Sequence, residues 1–303
     1  MRMLFLLGAL LLVACGDDPP ADGAGGQGAG DAGGSGGSPP SSLEPDPAFL
    51  PTPTGACPAF EDTTVTFAPA GIAPRNVRLF LDPATLATPG PMLFYWHGNG
   101  SSPTLEPPYG LDPELTSIKA AGGIVAAPYS DGTSSFAWHL TTGAGAEDDL
   151  ILADEVLACA LEQGYVDKRR VHVIGMSAGG LNTVQMAYRR SGYVASAVSY
   201  SGGLLGAPNM QQPANLFPMM IFHGGPNDMV VINFEQVSQG LYDDLRALGH
   251  FATICNHGMN HTIPKGQGEQ SSIWRFFQDH PFGTDPSPYA AGLPAGFPPY
   301  CVL

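Results

Sequence analysis

A mixed α/β domain, with a mostly parallel central sheet flanked by helices, is what this 303-residue sequence predicts. The first reason is the apolar run Val171-His-Val-Ile-Gly-Met176, which has β composition and delivers a serine inside Gly175-x-Ser177-x-Gly179. The second is that residues 178–190, directly after it, have the composition of a helix. The third is length. The 247 residues from 57 to 303 suit one α/β domain with an ample core.

Taken in order, Pro91-Met-Leu-Phe-Tyr-Trp96 is a near-continuous apolar strand that ends in His97-Gly98-Asn99-Gly100. A helix is expected over 147–163, then the strand and helix around Ser177. Residues 195–200 form a further strand-like run, followed by a Gly/Pro/Met-rich loop from Gly202 to Pro218 with no evident lid insertion. The segment Met219-Met-Ile-Phe-His223 reads as a buried strand that ends in a Gly/Pro/Asn loop carrying Asp228. A helix over 233–248 follows, with Phe234, Val237, Leu241, Leu245 and Leu248 at three- and four-residue spacing, closed by Gly249. A short strand over 251–255 then leads into a loop that holds His257 and His261.

The chemistry starts at Ser177. Glycines on either side permit a sharp strand-to-helix turn where side chains would collide, and the free N–H groups at the start of the helix lie beside the hydroxyl. A serine hydroxyl is a weak nucleophile until a base removes its proton, so a histidine and an orienting carboxylate are required. Asp228 is the candidate carboxylate, because its rivals Asp243 and Asp244 sit within a helix and are expected to face water. His261 is the candidate base, since Gly258-x-x-His261 presents the ring on a flexible turn that Pro264 then stops; His257 is the alternative on the same loop. The His97-Gly98-Asn99 loop is the candidate for the second oxyanion donor, with the N–H groups of Asn99 and Ala178 acting together. Trp138, His139 and Tyr129 are candidates for lining the cleft. Chain order Ser, Asp, His is that of the α/β-hydrolase fold rather than of chymotrypsin or subtilisin.

A family resemblance rests on several stretches. The run Gly122-Gly-Ile-Val-Ala-Ala-Pro-Tyr129-Ser-Asp-Gly132, Trp138, Glu147-Asp-Asp-Leu150 and Val166 to Gly180 carry it. So do His223-Gly-x-x-x-Asp228-x-Val-Val, Gly258-x-x-His261-Thr-x-Pro264 and Ser272 to Pro281. Over residues 75–282 these resemble the polyhydroxybutyrate depolymerase and feruloyl/acetylxylan esterase group of α/β-hydrolases. The resemblance implies a Ser177, Asp228 and His261 triad, an oxyanion hole that uses the His-Gly loop, and hydrolysis of carboxylic esters with no cofactor and no metal. This chain carries Asn99-Gly100 and Ile263 where members commonly have a cysteine- or glutamine-bearing loop and a tryptophan. Two other readings use the same residues: a prolyl-oligopeptidase-like peptidase, and a binding lipoprotein that is catalytically silent. Neither a propeller domain nor substrate-amine carboxylates are visible for the first. The second has no physical need of an intact serine, aspartate and histidine set.

Compartment follows from the ends and the cysteines. Met1-Arg2 precedes an apolar run to Ala14, too short for a membrane span but suited to a signal segment over 1–14. Leu12-Val-Ala-Cys15 resembles a bacterial lipobox, which makes Cys15 the expected lipidation site and the membrane a partner through that anchor. Gly16 after it favours the outer membrane by the same resemblance. Residues 15–56 hold Gly, Ala, Ser, Pro and Asp with almost no large apolar side chain, the composition of a flexible linker. Cys57, Cys159, Cys255 and Cys301 remain, an even number that permits two disulfides in an oxidising compartment. Cys301 is expected to be bridged, to Cys57 or Cys255, whereas Cys159 also reads as a small buried residue on its helix. The net charge of −15 argues against nucleic acid and anionic polymers as partners. No repeat, P-loop, dinucleotide fingerprint or metal-ligand spacing appears. The expected product is an exported serine esterase, lipid-anchored at the bacterial cell envelope or secreted, acting on a polymeric or small neutral ester.

Overall fold

Hydrophobic runs that are continuous rather than alternating mark strands covered on both faces, and they form the middle of the sheet. The computed structural model describes residues 45–104, 108–140, 143–206 and 208–303. The expected signal segment, Cys15 and linker residues 15–44 lie outside the described residues. In chain order the elements are β1 (Thr64–Phe67), β2 (Arg75–Phe80), β3 (Gly90–Trp96), a 3-10 turn (Tyr109–Glu114), α1 (Leu115–Ala120) and β4 (Ile124–Pro128). Then come α2 (Asp148–Glu162), β5 (Val166–Met176), α3 (Ala178–Arg189), β6 (Ser196–Tyr200) and β7 (Met219–His223). The series ends with α4 (Phe234–Ala247), β8 (Ala252–Asn256), α5 (Glu269–Asp279) and β9 (Cys301–Val302).

The strands form one sheet in the order β1-β2-β4-β3-β5-β6-β7-β8-β9. Strands β4, β3, β5, β6, β7 and β8 run parallel, while β1, β2 and β9 pair antiparallel at the two edges. Every residue of β3, β4, β6 and β7 is buried. Successive side chains of β3 point to opposite faces: Met92, Phe94 and Trp96 pack with α2, α3 and α4, while Leu93 and Tyr95 pack with α1 and α5. The sheet is thus sandwiched between two apolar cores, as expected for a mostly parallel α/β domain.

Three sequence expectations change. Leu248 falls just beyond α4 and is exposed, because the helix stops at Ala247 and Gly249 turns the chain at φ 89°. The linker was expected to reach residue 56, yet the chain already docks from residue 45 onward. Thr54 N and Oγ1 donate to the Glu155 carboxylate at 2.8 and 2.6 Å, Gly55 N donates at 2.7 Å, and Lys168 pairs with Asp46 at 2.7 Å. Thr54 and Gly55 dock by polar contacts to one buried α2 carboxylate, which apolar composition does not reveal. Finally, Cys159 is bridged to Cys57, and Cys301 to Cys255. Closing loops of this size is worth roughly 4 kcal/mol each in chain entropy. One bridge ties the entry strap to α2; the other holds the carboxy-terminal tail on β8. Disulfides of this kind belong to oxidising compartments. Among the described residues no helix is long and apolar enough to cross a membrane.

A buried histidine is expected to make the fold acid-sensitive. His280 is fully buried, its Nδ1–H donating to Phe276 O at 2.8 Å and its Nε2 accepting from Ser287 Oγ at 2.7 Å. Burial pushes the imidazole down to about 4. The unfolded chain takes up this proton near its ordinary value of about 6.5, so stability is full above that pH and falls as pH drops towards 4. The loss amounts to roughly 3 kcal/mol at most. Urea midpoints are expected to fall between about pH 7 and about pH 5; a flat profile over that range would contradict this reading.

Candidate active site

Ser177 occupies the corner between β5 and α3 with φ 59° and ψ −122°, a conformation that is costly for a residue bearing a side chain. The glycines on either side make the corner possible by close approach. A Cβ on Gly179 would come within 1.9 Å of Trp96 O, and one on Gly175 within 2.4 Å of Gly179 O. Ser177 N–H bonds Tyr200 O and Leu181 N–H bonds Ser177 O, both at 2.9 Å, so the corner is tied to β6 on one side and to the helix on the other.

The loop after β8 brings His261 to this serine. Its Nε2 accepts from Ser177 Oγ at 2.9 Å, and its Nδ1–H donates to Asp228 Oδ1 at 2.7 Å. The loop is pinned by Asn260 N–H to Gly224 O at 3.1 Å, and the imidazole stacks on Phe234 with ring centres 4.6 Å apart. Asp228 has no exposed surface. Its other oxygen accepts from Gly224 N–H and from Ser201 Oγ, each at 2.8 Å. Burial alone would raise this carboxyl, but the bonds from His261, Gly224 and Ser201 hold it below the usual carboxylate range. An ionised carboxylate on Nδ1 keeps the proton on that nitrogen and leaves Nε2 as acceptor. Such an arrangement withdraws a proton from an alcohol.

The rivals are placed elsewhere. His257 Nδ1 accepts from Met259 N–H at 3.2 Å and its ring faces Tyr300. Burial lowers its basicity. On α4, Asp243 accepts from Gln239; Asp244 does not simply face water but accepts from Tyr188 Oη at 2.7 Å.

A cavity of about 350 Å³ opens on the serine, lined by Gly98, Asn99, Met176, Ser177, His261, Thr262, Ile263 and Lys265. Asn99 lines this cavity, and Ala178 is the first residue of α3. A cleft of about 860 Å³ lies at the far end of α3, beside Arg189 and Arg190, and holds none of these groups. Trp138, His139 and Tyr129, expected to line the substrate cleft, do not. Trp138 is fully buried with its ring edge-on to Trp96 at 4.8 Å. His139 pairs with Asp131 at 2.9 Å, and Tyr129 lines a separate surface cleft with Arg75 and Asp148. The cause is a buried ion pair: Arg75 bonds Asp149 at 2.7 Å and Tyr129 O at 2.8 Å, while Asp149 accepts from His139 N–H at 2.7 Å, drawing the β4–α2 loop inward. Asp131, His139 and Asp148 also bring one metal-ligating atom each within 4.8 Å of the others, on half-buried side chains away from the serine cavity.

Sequence reasoning gave no site role to Ser201, Phe234, Met176, Thr262 or Lys265, and singled out Ile263 only as a departure from the family pattern. Ser201 had one usable signal, its position at the end of a strand next to the one that carries Asp228.

No protein-family profile and no curated protein matches the sequence. Solved structures do resemble the fold. Native sOPH superposes with a TM-score of 0.61 at 16% identity over 84% of this chain and 97% of its own. Native pOPH gives 0.59 at 17% identity over 76% and 92%. A thermostable esterase gives 0.52 at 19% identity over 65% and 57%. At these identities the likeness is one of fold, and with the sheet order and the Ser177 corner it makes this an α/β-hydrolase fold.

Proposed function

We propose that the chain is a serine hydrolase of carboxylic esters. The observation that carries the reading is the continuous hydrogen-bonded line from Ser177 Oγ through His261 to Asp228, at 2.9 and 2.7 Å, opening on a cavity. In the reaction Ser177 Oγ attacks the ester carbonyl while His261 Nε2 takes the hydroxyl proton. The carbonyl oxygen becomes an oxyanion held by the N–H groups of Ala178 and Asn99. His261 then passes its proton to the departing alcohol and leaves an acyl-Ser177. Water, deprotonated by the same imidazole, releases the acid and restores the serine. Asp228 stabilises the imidazolium throughout and keeps its own charge.

The cavity's size and openness support short, neutral acyl groups. No helix or strand is present among the described residues between β6 and β7, so nothing there builds the deep apolar tunnel that long chains need at roughly 0.8 kcal/mol per methylene. Polyhydroxybutyrate-type oligomers and feruloyl or acetyl esters are the natural substrate classes in this reading, with the enzyme held at the cell envelope through lipidated Cys15, a site that an unlipidated mature amino terminus would contradict. Acetyl to butyryl p-nitrophenyl esters are expected to turn over, with p-nitroanilide peptides inert and Ser177→Ala as blank. A preference for acyl chains of about twelve carbons or more would overturn the short-acyl assignment.

A further inference from the structure

Trp138 is the largest expected cleft residue that turned out to be buried, and its one polar atom has a specific partner. The indole Nε1–H donates to His97 O at 2.8 Å, and the indole ring lies 4.7 Å from the His97 ring. A peptide unit is planar, so holding the His97 carbonyl fixes the plane of the His97–Gly98 peptide and the point where the Gly98–Asn99 loop departs. The same carbonyl lies against the nucleophile helix: a Cβ on Gly179 would come within 2.6 Å of it. One oxygen therefore sits between the loop that carries Asn99 and the helix start that carries Ala178. Trp138 is itself held from behind. Asp149, buried and bonded to Arg75, accepts the N–H of the next residue, His139, at 2.7 Å, and Ser134 Oγ donates to Trp138 O at 3.1 Å.

We propose that Trp138 is a positioning residue for ester cleavage: by holding the His97 carbonyl, its indole N–H sets the two halves of the oxyanion site in register. This rests on the serine-hydrolase reading. Oxyanion bonds are made in the transition state and not with the bound ester, so a misaligned donor lowers kcat and leaves KM in place.

The test uses the full chain with Trp138→Phe, and a second form with benzothienylalanine at 138, which keeps the bicyclic shape and replaces the N–H by sulfur. Active sites are titrated to completion with a fluorophosphonate, so kcat on p-nitrophenyl butyrate is read per competent site and misfolded protein does not count. Both forms are expected to lose about 10–100-fold in kcat per titrated site with KM within about two-fold of the parent. If the benzothienylalanine form keeps kcat per site within about two-fold, or loses only KM, the proposal is overturned. Failure of the underlying reading looks different, because Ser177→Ala would then hydrolyse the ester as well as the parent.

Discussion

Ser177→Ala is expected to lower kcat on short esters by at least about three orders of magnitude without altering the fold, since the imidazole then has no hydroxyl to activate. The side chain contributes one hydrogen bond, to His261 Nε2, and its removal leaves the strained corner supported by the backbone bonds of Ser177 to Tyr200 and Leu181. His261→Ala is expected to cost nearly as much, because the two residues act as a unit and their losses do not add. His257→Ala should leave most of the activity, as its ring bonds its own loop and not the serine or the aspartate. Steady-state kinetics on the three purified variants, with unfolding curves to show the fold intact, decide the matter. An inactive His257→Ala beside an active His261→Ala would reverse the assignment of the base.

Asp228→Asn is the second large effect. The carboxylate accepts three hydrogen bonds in a site with no exposed surface, and an amide can accept on one atom only. With the amide nitrogen turned to His261, Nδ1 must accept, the proton moves to Nε2, and Ser177 meets a donor where it needs an acceptor. With the nitrogen turned inward instead, it opposes the Gly224 N–H. The first arrangement predicts a loss in kcat of about 10⁴-fold, by analogy with the serine-protease triad, with the substrate KM largely kept. Wild-type kcat in a folded Asp228→Asn chain would show that the carboxylate is dispensable.

Much of the site was legible because its chemistry dictates residue types. A serine in a corner too tight for any Cβ at 175 or 179 needs glycines there, and a base on a loop after a strand needs a flexible turn, so Ser177, Asp228 and His261 could be read in order. The supporting residues were not legible, because they act through tertiary adjacency. Ser201 reaches Asp228 only because β6 and β7 are parallel neighbours with Tyr200 opposite Phe222, which sets Ser201 beside the Asp228 loop. Phe234 reads as a core residue of an amphipathic helix, and it is buried, yet its face carries the His261 imidazole. Trp138 shows the opposite error. An aromatic residue in a loop after a strand has the same sequence signature whether it points to the cleft or the core, and the deciding partner, the Arg75–Asp149 pair, lies on β2 and α2. Strands β1 and β2 and the strap from residue 45 escaped notice for a related reason, since short segments with few apolar residues declare themselves only when the partner is known.

The central claim is that Ser177 is an activated nucleophile, and labelling tests it most directly. Full-length protein treated with a fluorophosphonate and digested for peptide mass spectrometry is expected to carry the adduct on Ser177 alone, with loss of ester hydrolysis in step with labelling and no adduct in His261→Ala. Labelling spread over several serines, or complete modification of Ser177 with hydrolysis unchanged, would contradict the account.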